Sequence, residues 1–263
     1  MLKLLLALAL AFSPCAPCVE GGGVMLVSAR QIFLGGGRDP MAVVGSVVGD
    51  GTWGCVFSSR FSVVPSLASG FTVTCWAKFT SMTRGHFLTI GSDSTGVSLG
   101  HGALNDNGVY GDVINGLANS RWWCGTSTSI SDGMWHHYGF VLRSNGHKVY
   151  VDGVGVNDSA PSNYGVGATN NLNSGSEITL LGVCDGSEPR FLTGNVTRVC
   201  VYFGTVKSAA EIAADYALCS KPPDTNGLSH YYNGASQNGQ LVDMVGGMNL
   251  SSQNGAYISS DKP

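Results

Sequence analysis

Tyr110, Trp122 and Trp123 lie in or beside a polar stretch, residues 100–129, that also holds Asn107, Asp112, Asn115 and Arg121. That set suits a sugar, because CH faces stack on aromatic rings while hydroxyls need paired donors and acceptors. Tryptophans in a small sandwich are more often core than platform. Adjacent strand residues also point to opposite faces, so at least one of Trp122 and Trp123 turns inward and the outward one is the better platform. Asp106, Asn107 and Asp112 belong to the densest group of oxygen ligands and are the calcium candidates. Their spacing is irregular, and a turn rich in Asn, Asp and Gly also arises for backbone reasons alone. No other cofactor is expected.

Catalysis finds less support. Glycoside hydrolysis needs two carboxyl groups about 5 to 10 Å apart. The chain has four glutamates, Glu20, Glu177, Glu188 and Glu211, and the nearest acidic pair, Asp185 with Glu188, sits in a Gly/Pro turn. His136 and His137 are neighbours, and on a strand they face opposite ways, one packed near Trp135 and the other solvated. No nucleophile elbow, P-loop or dinucleotide fingerprint occurs. The expectation is a protein without catalytic residues, with glycoside hydrolase as a remote third reading.

These side chains need many short elements to position them. Of the 263 residues only 12% are charged while 38 are Gly, which favours strands and turns over long solvated helices. Residues 71–79 alternate, with Phe71, Val73, Cys75, Ala77 and Phe79 on one face and Thr72, Thr74, Trp76 and Lys78 on the other. Trp76 marks a strand covered on both sides. Further strands are read at 24–34, 57–64, 86–90, 96–99, 177–182 and 195–202. Asn145-Gly146 and Asp152-Gly153 supply the positive-φ residues of two-residue hairpin turns, and Trp135 reads as the inward anchor of that sheet. Trp76, Trp135, Asp152 and Gly153 are therefore structural choices. Ser208 with Glu211 forms a capping box that opens one helix, continued by good helix formers to Leu218.

A net charge of -3 and the lack of any Lys/Arg run argue against nucleic acid and against an anionic membrane surface. Residues 1–18 have the charged-then-apolar order of a secretory signal, too short to span a bilayer, so no membrane insertion is expected once the leader is removed. The competing readings are a buried element or an upstream extension with Met25 as the start. Eight cysteines fall to six without the leader, an even number that allows up to three disulfides, against the alternative of buried free thiols.

Phe71-Thr-Val-Thr-Cys-Trp-Ala-Lys78, Asp132-Gly-Met-Trp-His-His137, Val149-Tyr-Val-Asp-Gly153, Leu180-Leu-Gly182, residues 191–202 and Ser208-Ala-Ala-Glu-Ile212 follow one another in order. Together they resemble the concanavalin A-like, laminin-G-like jelly-roll modules. The resemblance covers about residues 46–219 and implies an all-β, two-sheet antiparallel jelly roll with one short helix near the C-terminal end. It implies binding loops at a rim or on the concave face and no catalysis by itself, since the fold hosts lectins, adhesion modules and glycosidases alike. Thr197 stands where many such modules carry an acid, which puts that acid's role in doubt here. Residues 227–257 resemble the opening of another such module, which either completes the first sheet of a permuted chain or packs as a remnant on the domain or on a neighbour.

The organisation read from sequence is a leader at 1–18, a jelly-roll domain at 24–220, and a linker and tail at 221–263. The function read is a secreted or surface-displayed recognition or adhesion module for a carbohydrate or protein ligand. The alternative is a structural decoration or appendage protein of a virion, made in the host cytoplasm, or of a cell surface. Its termini would then make homo-oligomer or assembly contacts.

Overall fold

The computed structural model describes residues 39–50, 57–80, 85–92, 95–101, 109–115, 121–125, 131–144, 146–156, 172–182, 192–221, 223–253 and 256–263. The leader-like residues 1–18 and the strand read at 24–34 lie outside them. In chain order the first strands are β1 (Ser46–Asp50), β2 (Phe57–Arg60), β3 (Phe71–Phe79), β4 (Gly85–Ser92), β5 (Thr95–His101), β6 (Val109–Asn115) and β7 (Arg121–Gly125). Next come β8 (Trp135–Arg143), β9 (Gly146–Val151), β10 (Val154–Gly155), β11 (Glu177–Leu180) and β12 (Thr193–Phe203). Helix α1 (Ala209–Leu218) precedes β13 (His230–Tyr232), β14 (Ser236–Gln237), β15 (Gln240–Leu241), β16 (Leu250–Ser252) and β17 (Tyr257–Ser259).

All pairings among the described residues are antiparallel, and they build two sheets of a jelly-roll sandwich. The first runs β10-β9-β8-β3-β12-β1-β17 with β13 also on β12, and the second runs β14-β15-β16-β2-β11-β4-β5-β6-β7. Alternation along β3 sends Phe71, Val73, Cys75, Ala77 and Phe79 into the core between the sheets. Phe79, Phe87 and Tyr138 meet there, with ring centroids 5.2 Å apart for the first two and 4.9 Å for the last two. Asp152 (φ 49°) and Gly153 (φ 77°) make the tight turn from β9 to β10.

The other face of β3 is covered by α1. Trp76 is 2% exposed and stacks on Tyr216 of the helix, centroids 5.6 Å apart, while Ile212 packs with Val141 and Tyr150. The capping box forms: Ser208 Oγ accepts from Glu211 N, and the Glu211 carboxylate accepts from Ser208 N at 2.7 Å. No helix among the described residues is long and apolar enough to cross a membrane.

One expectation is revised, and two readings left open are decided among the described residues. Trp135 is not the inward anchor: Tyr138, Phe140 and Leu142 claim the core side of β8, so alternation turns Trp135 outward, half-buried beneath Lys78 with its Nε1 3.3 Å from Asp261 Oδ1. Where a linker and tail were read after Lys221, the chain adds strands to both sheets, because β13 pairs β12, β17 pairs β1 and β16 pairs β2. The Asp243 carboxylate organises this segment by accepting from the N–H groups of Tyr231, Gly246 and Met248, with His230 Nδ1 at 2.7 Å. Cys75 and Cys200 are buried thiols rather than bridge partners, so three disulfides do not form.

Candidate functional site

Along β4 and β5 the residues Ile90 and Leu99 are core, which leaves Thr89 and Ser98 on the opposite side of the pleat, with Asp112 at the matching register position of β6. The ladder sets these abreast of others. Ser58 pairs Thr179, Thr179 pairs Thr89, Thr89 pairs Ser98, Ser98 pairs Asp112 and Asp112 pairs Trp123. At about 4.8 Å per strand the row from Ser58 to Trp123 is about 24 Å long. Thr89 Oγ1 donates to the Gly182 carbonyl at 3.2 Å and Thr179 Oγ1 to Glu177 Oε1 at 3.3 Å. Ser98 differs, for its residue is 3% exposed and its hydroxyl has no protein partner. An unmade bond of that kind costs about 1–3 kcal/mol, a deficit that a ligand or a water reaching the hydroxyl removes.

Tyr110 lies one step along the same side, paired with Gly100, which in turn pairs His86. Its ring crosses over Gly100 and meets His86 edge-on at a centroid distance of 5.7 Å. At 5% exposure it has little free face for a sugar and forms floor instead. Trp122 pairs Val113 and Trp123 pairs Asp112 in the ladder. Arg121 pairs Ile114 and Asn115 pairs Thr95 at the strand ends. The side chains of Asp112, Asn115, Arg121, Trp122 and Trp123, and the whole of Asp106 and Asn107, lie outside the described residues. Sequence reasoning missed Ser98, Thr89 and Thr179. Their signal was the polar half of each strand's alternation, which gains meaning only once the register is known.

A second polar cluster sits under α1. Asp215 accepts from Arg198 Nη2 at 2.7 Å and from Thr74 Oγ1 at 2.7 Å, with His137 Nε2 at 3.1 Å. Burial opposes its charge, but His137 and Arg198 outweigh that and hold the carboxyl far below the usual range. Every oxygen is used to dock the helix, which makes the cluster structural. A cleft of about 140 Å³ beside it is lined by Thr74, Tyr202, Lys207, Ile212 and Asp215. Lys207 Nζ there already meets Asp224 Oδ2 at 2.9 Å. Among the described residues no group of three His, Cys, Asp or Glu side chains is arranged to hold a metal ion.

A family model described as the concanavalin A-like lectin/glucanases superfamily (Laminin_G_3) matches residues 54–213, more than half of the chain. By sequence, no curated protein matches. Among solved structures, a candidate carbohydrate-binding protein from Bacteroides ovatus superposes with a TM-score of 0.61 at 14% identity, over 84% of this chain and 60% of that one. The heptameric SAP-like pentraxin of Limulus polyphemus gives 0.59 at 14% identity, over 85% of this chain and 97% of that one. Tailspike protein 2 of an Escherichia coli O157:H7 bacteriophage gives 0.51 at 14% identity, over 75% and 30%. At such identity the likeness is one of fold.

Proposed function

The chain belongs to the concanavalin A-like lectin/glucanases superfamily, and on that premise we propose that it is a non-catalytic recognition module that binds glycan on the outward side of β5, β6 and β7. The observation that carries this reading is the ladder in which Ser98 pairs Asp112 and Asp112 pairs Trp123. An unpartnered buried hydroxyl, a carboxylate position and an indole position thus stand abreast within about 10 Å. A sugar ring stacks by its CH face on the indole, and its hydroxyls take the carboxylate as acceptor and the serine as donor.

Spacing supports the absence of hydrolysis. Glu177 is the nearest carboxylate on that side among the described residues, and it stands three strands from Asp112 and two residues off its row, about 16 Å away between backbone positions. A retaining or inverting pair needs about 5 to 9.5 Å. Calcium, if used, would draw on Asp106, Asn107 and Asp112. The leader-like residues 1–18 support export or surface display.

The test is a broad glycan array probed with the full chain, with calcium and then with a chelator, beside Trp123→Ala and Ser98→Ala. Binding that Trp123→Ala abolishes and Ser98→Ala weakens is the expected result. Chelator sensitivity would add the ion. Silence across the array in both conditions would overturn the glycan reading in favour of an assembly protein that makes protein contacts.

A further inference from the structure

The cleft beside Asp215 lies where α1 covers the outer side of the first sheet, across the sandwich from the row proposed for glycan. Ile212, Ala214 and Leu218 line it from the helix, Tyr202 from β12 and Thr74 from β3. Exposure gives it a direction. Thr74 is 1% exposed and Asp215 is buried, whereas the side chains of Glu211 and Asp224 are 50% and 62% exposed. The cleft therefore closes on Thr74 and Asp215 and opens between Glu211 and Asp224.

The closed end only accepts. Thr74 Oγ1 gives its proton to Asp215 Oδ2 at 2.7 Å, which leaves the hydroxyl with lone pairs alone to offer. An ionised carboxylate has about four acceptor sites. Arg198 Nη2, Thr74 Oγ1 and His137 Nε2 occupy three of those on Asp215, so one stays open. A polar group that reaches this end must bring a hydrogen. It need not bring a charge, because Arg198 already neutralises Asp215 across 2.7 Å.

The open end rejects ions of both signs. Lys207 Nζ stands there 2.9 Å from Asp224 Oδ2 and 3.6 Å from Glu211 Oε1, so two carboxylates outnumber one ammonium and repel an anion. A cation would meet Lys207 itself, which already covers the Tyr202 ring at 4.8 Å. Between the two ends the helix contributes the aliphatic side chains of Ile212, Ala214 and Leu218. The volume of about 140 Å³ is close to the roughly 150 Å³ of an apolar cavity that admits benzene. Water along such walls finds few partners, and an apolar ring displaces it with a gain.

We infer that the cleft between α1, β3 and β12 is a binding site for a small neutral aromatic alcohol, its ring against Tyr202, Ile212 and Leu218 and its hydroxyl donating to Asp215. The inference goes beyond the glycan reading and stands apart from it, since the two sites lie on opposite sides of the sandwich.

The experiment titrates the isotope-labelled full chain with phenol, benzene and benzoate at neutral pH and follows the amide resonances of Thr74, Tyr202 and residues 207–218 by NMR. Phenol should shift these together along a single saturation curve. Benzene should bind about tenfold more weakly, the factor expected for losing a hydrogen bond to a charged acceptor. Benzoate should leave the spectrum unchanged. Ala214→Phe, at an exposed position of α1, should fill the cleft and abolish the phenol response, and Ala214→Met serves if that variant does not fold. Phenol shifts that never saturate, that spread across the molecule or that persist in the filled variant overturn the site. Benzene or benzoate binding as tightly as phenol overturns the ligand class.

Discussion

Arg198 and Asp215 meet beneath the helix, Nη2 to Oδ1 at 2.7 Å, with the arginine side chain fully buried and the aspartate 11% exposed. The guanidinium comes from a bulge in β12, where Arg198 takes φ 48°, and its Nε also donates to the Lys221 carbonyl at 3.0 Å. One pair thereby joins the centre of a sheet, the helix that covers it and the segment leaving the helix. Asp215→Ala strands a buried cation and should cost about 3–5 kcal/mol. Urea unfolding followed by tryptophan fluorescence would measure it. A loss under about 1 kcal/mol would show the pair to be solvated.

The same carboxylate should dominate acid sensitivity. Its folded pKa is depressed, so its stabilisation is present above the ordinary carboxylate range and lost as pH falls toward the folded value. Between about pH 5 and pH 3 the unfolding free energy should fall, with this one group contributing up to about 1.4 kcal/mol per pH unit. Asp215→Asn should flatten that slope. Equal slopes in the two proteins would assign acid sensitivity to other carboxylates.

Much of the scaffold was legible because its signals are local. The alternation of residues 71–79 named every core residue of β3, and Ser208 with Glu211 named the start of α1. Trp135 misled because size was weighed above parity, whereas Tyr138, Phe140 and Leu142 outvote it along β8. The site resisted for a different reason. Thr89 acquires Ser98 and Thr179 as neighbours only through pairing across strands, and a register joining residues 90 apart in sequence leaves no local trace. The strands contributed by residues 230–259 were hidden likewise, since each is two or three residues long and holds through its partners.

The buried thiols should be chemically silent. Burial pushes the Cys200 thiol up to about 12 and Cys75 well above its usual value, so almost no thiolate exists at neutral pH. Iodoacetamide applied to the native protein should leave both unmodified by peptide mass spectrometry, and denaturation in urea should expose both together. Labelling of Cys200 without unfolding would mean that β12 opens locally under the helix.

Gly100 should be intolerant of a side chain for a reason tied to the site. A Cβ there would stand 2.4 Å from Tyr110 Cζ and 2.8 Å from the Gly85 carbonyl oxygen, closer than packed atoms approach. The backbone oxygen is fixed by the β4–β5 ladder, so the Tyr110 ring is what must move, away from His86. Gly100→Ala should therefore cost about 1–3 kcal/mol by overpacking, read as a lowered urea midpoint. It should also disturb glycan binding more than its stability loss explains, because β6 carries both Tyr110 and Asp112. Tyr110→Phe keeps the ring and should leave the sheet intact, which separates the packing role from any hydroxyl contact. A Gly100→Ala protein as stable as its parent, with unchanged affinity, would show that the Tyr110 ring is free to leave its place across the strand.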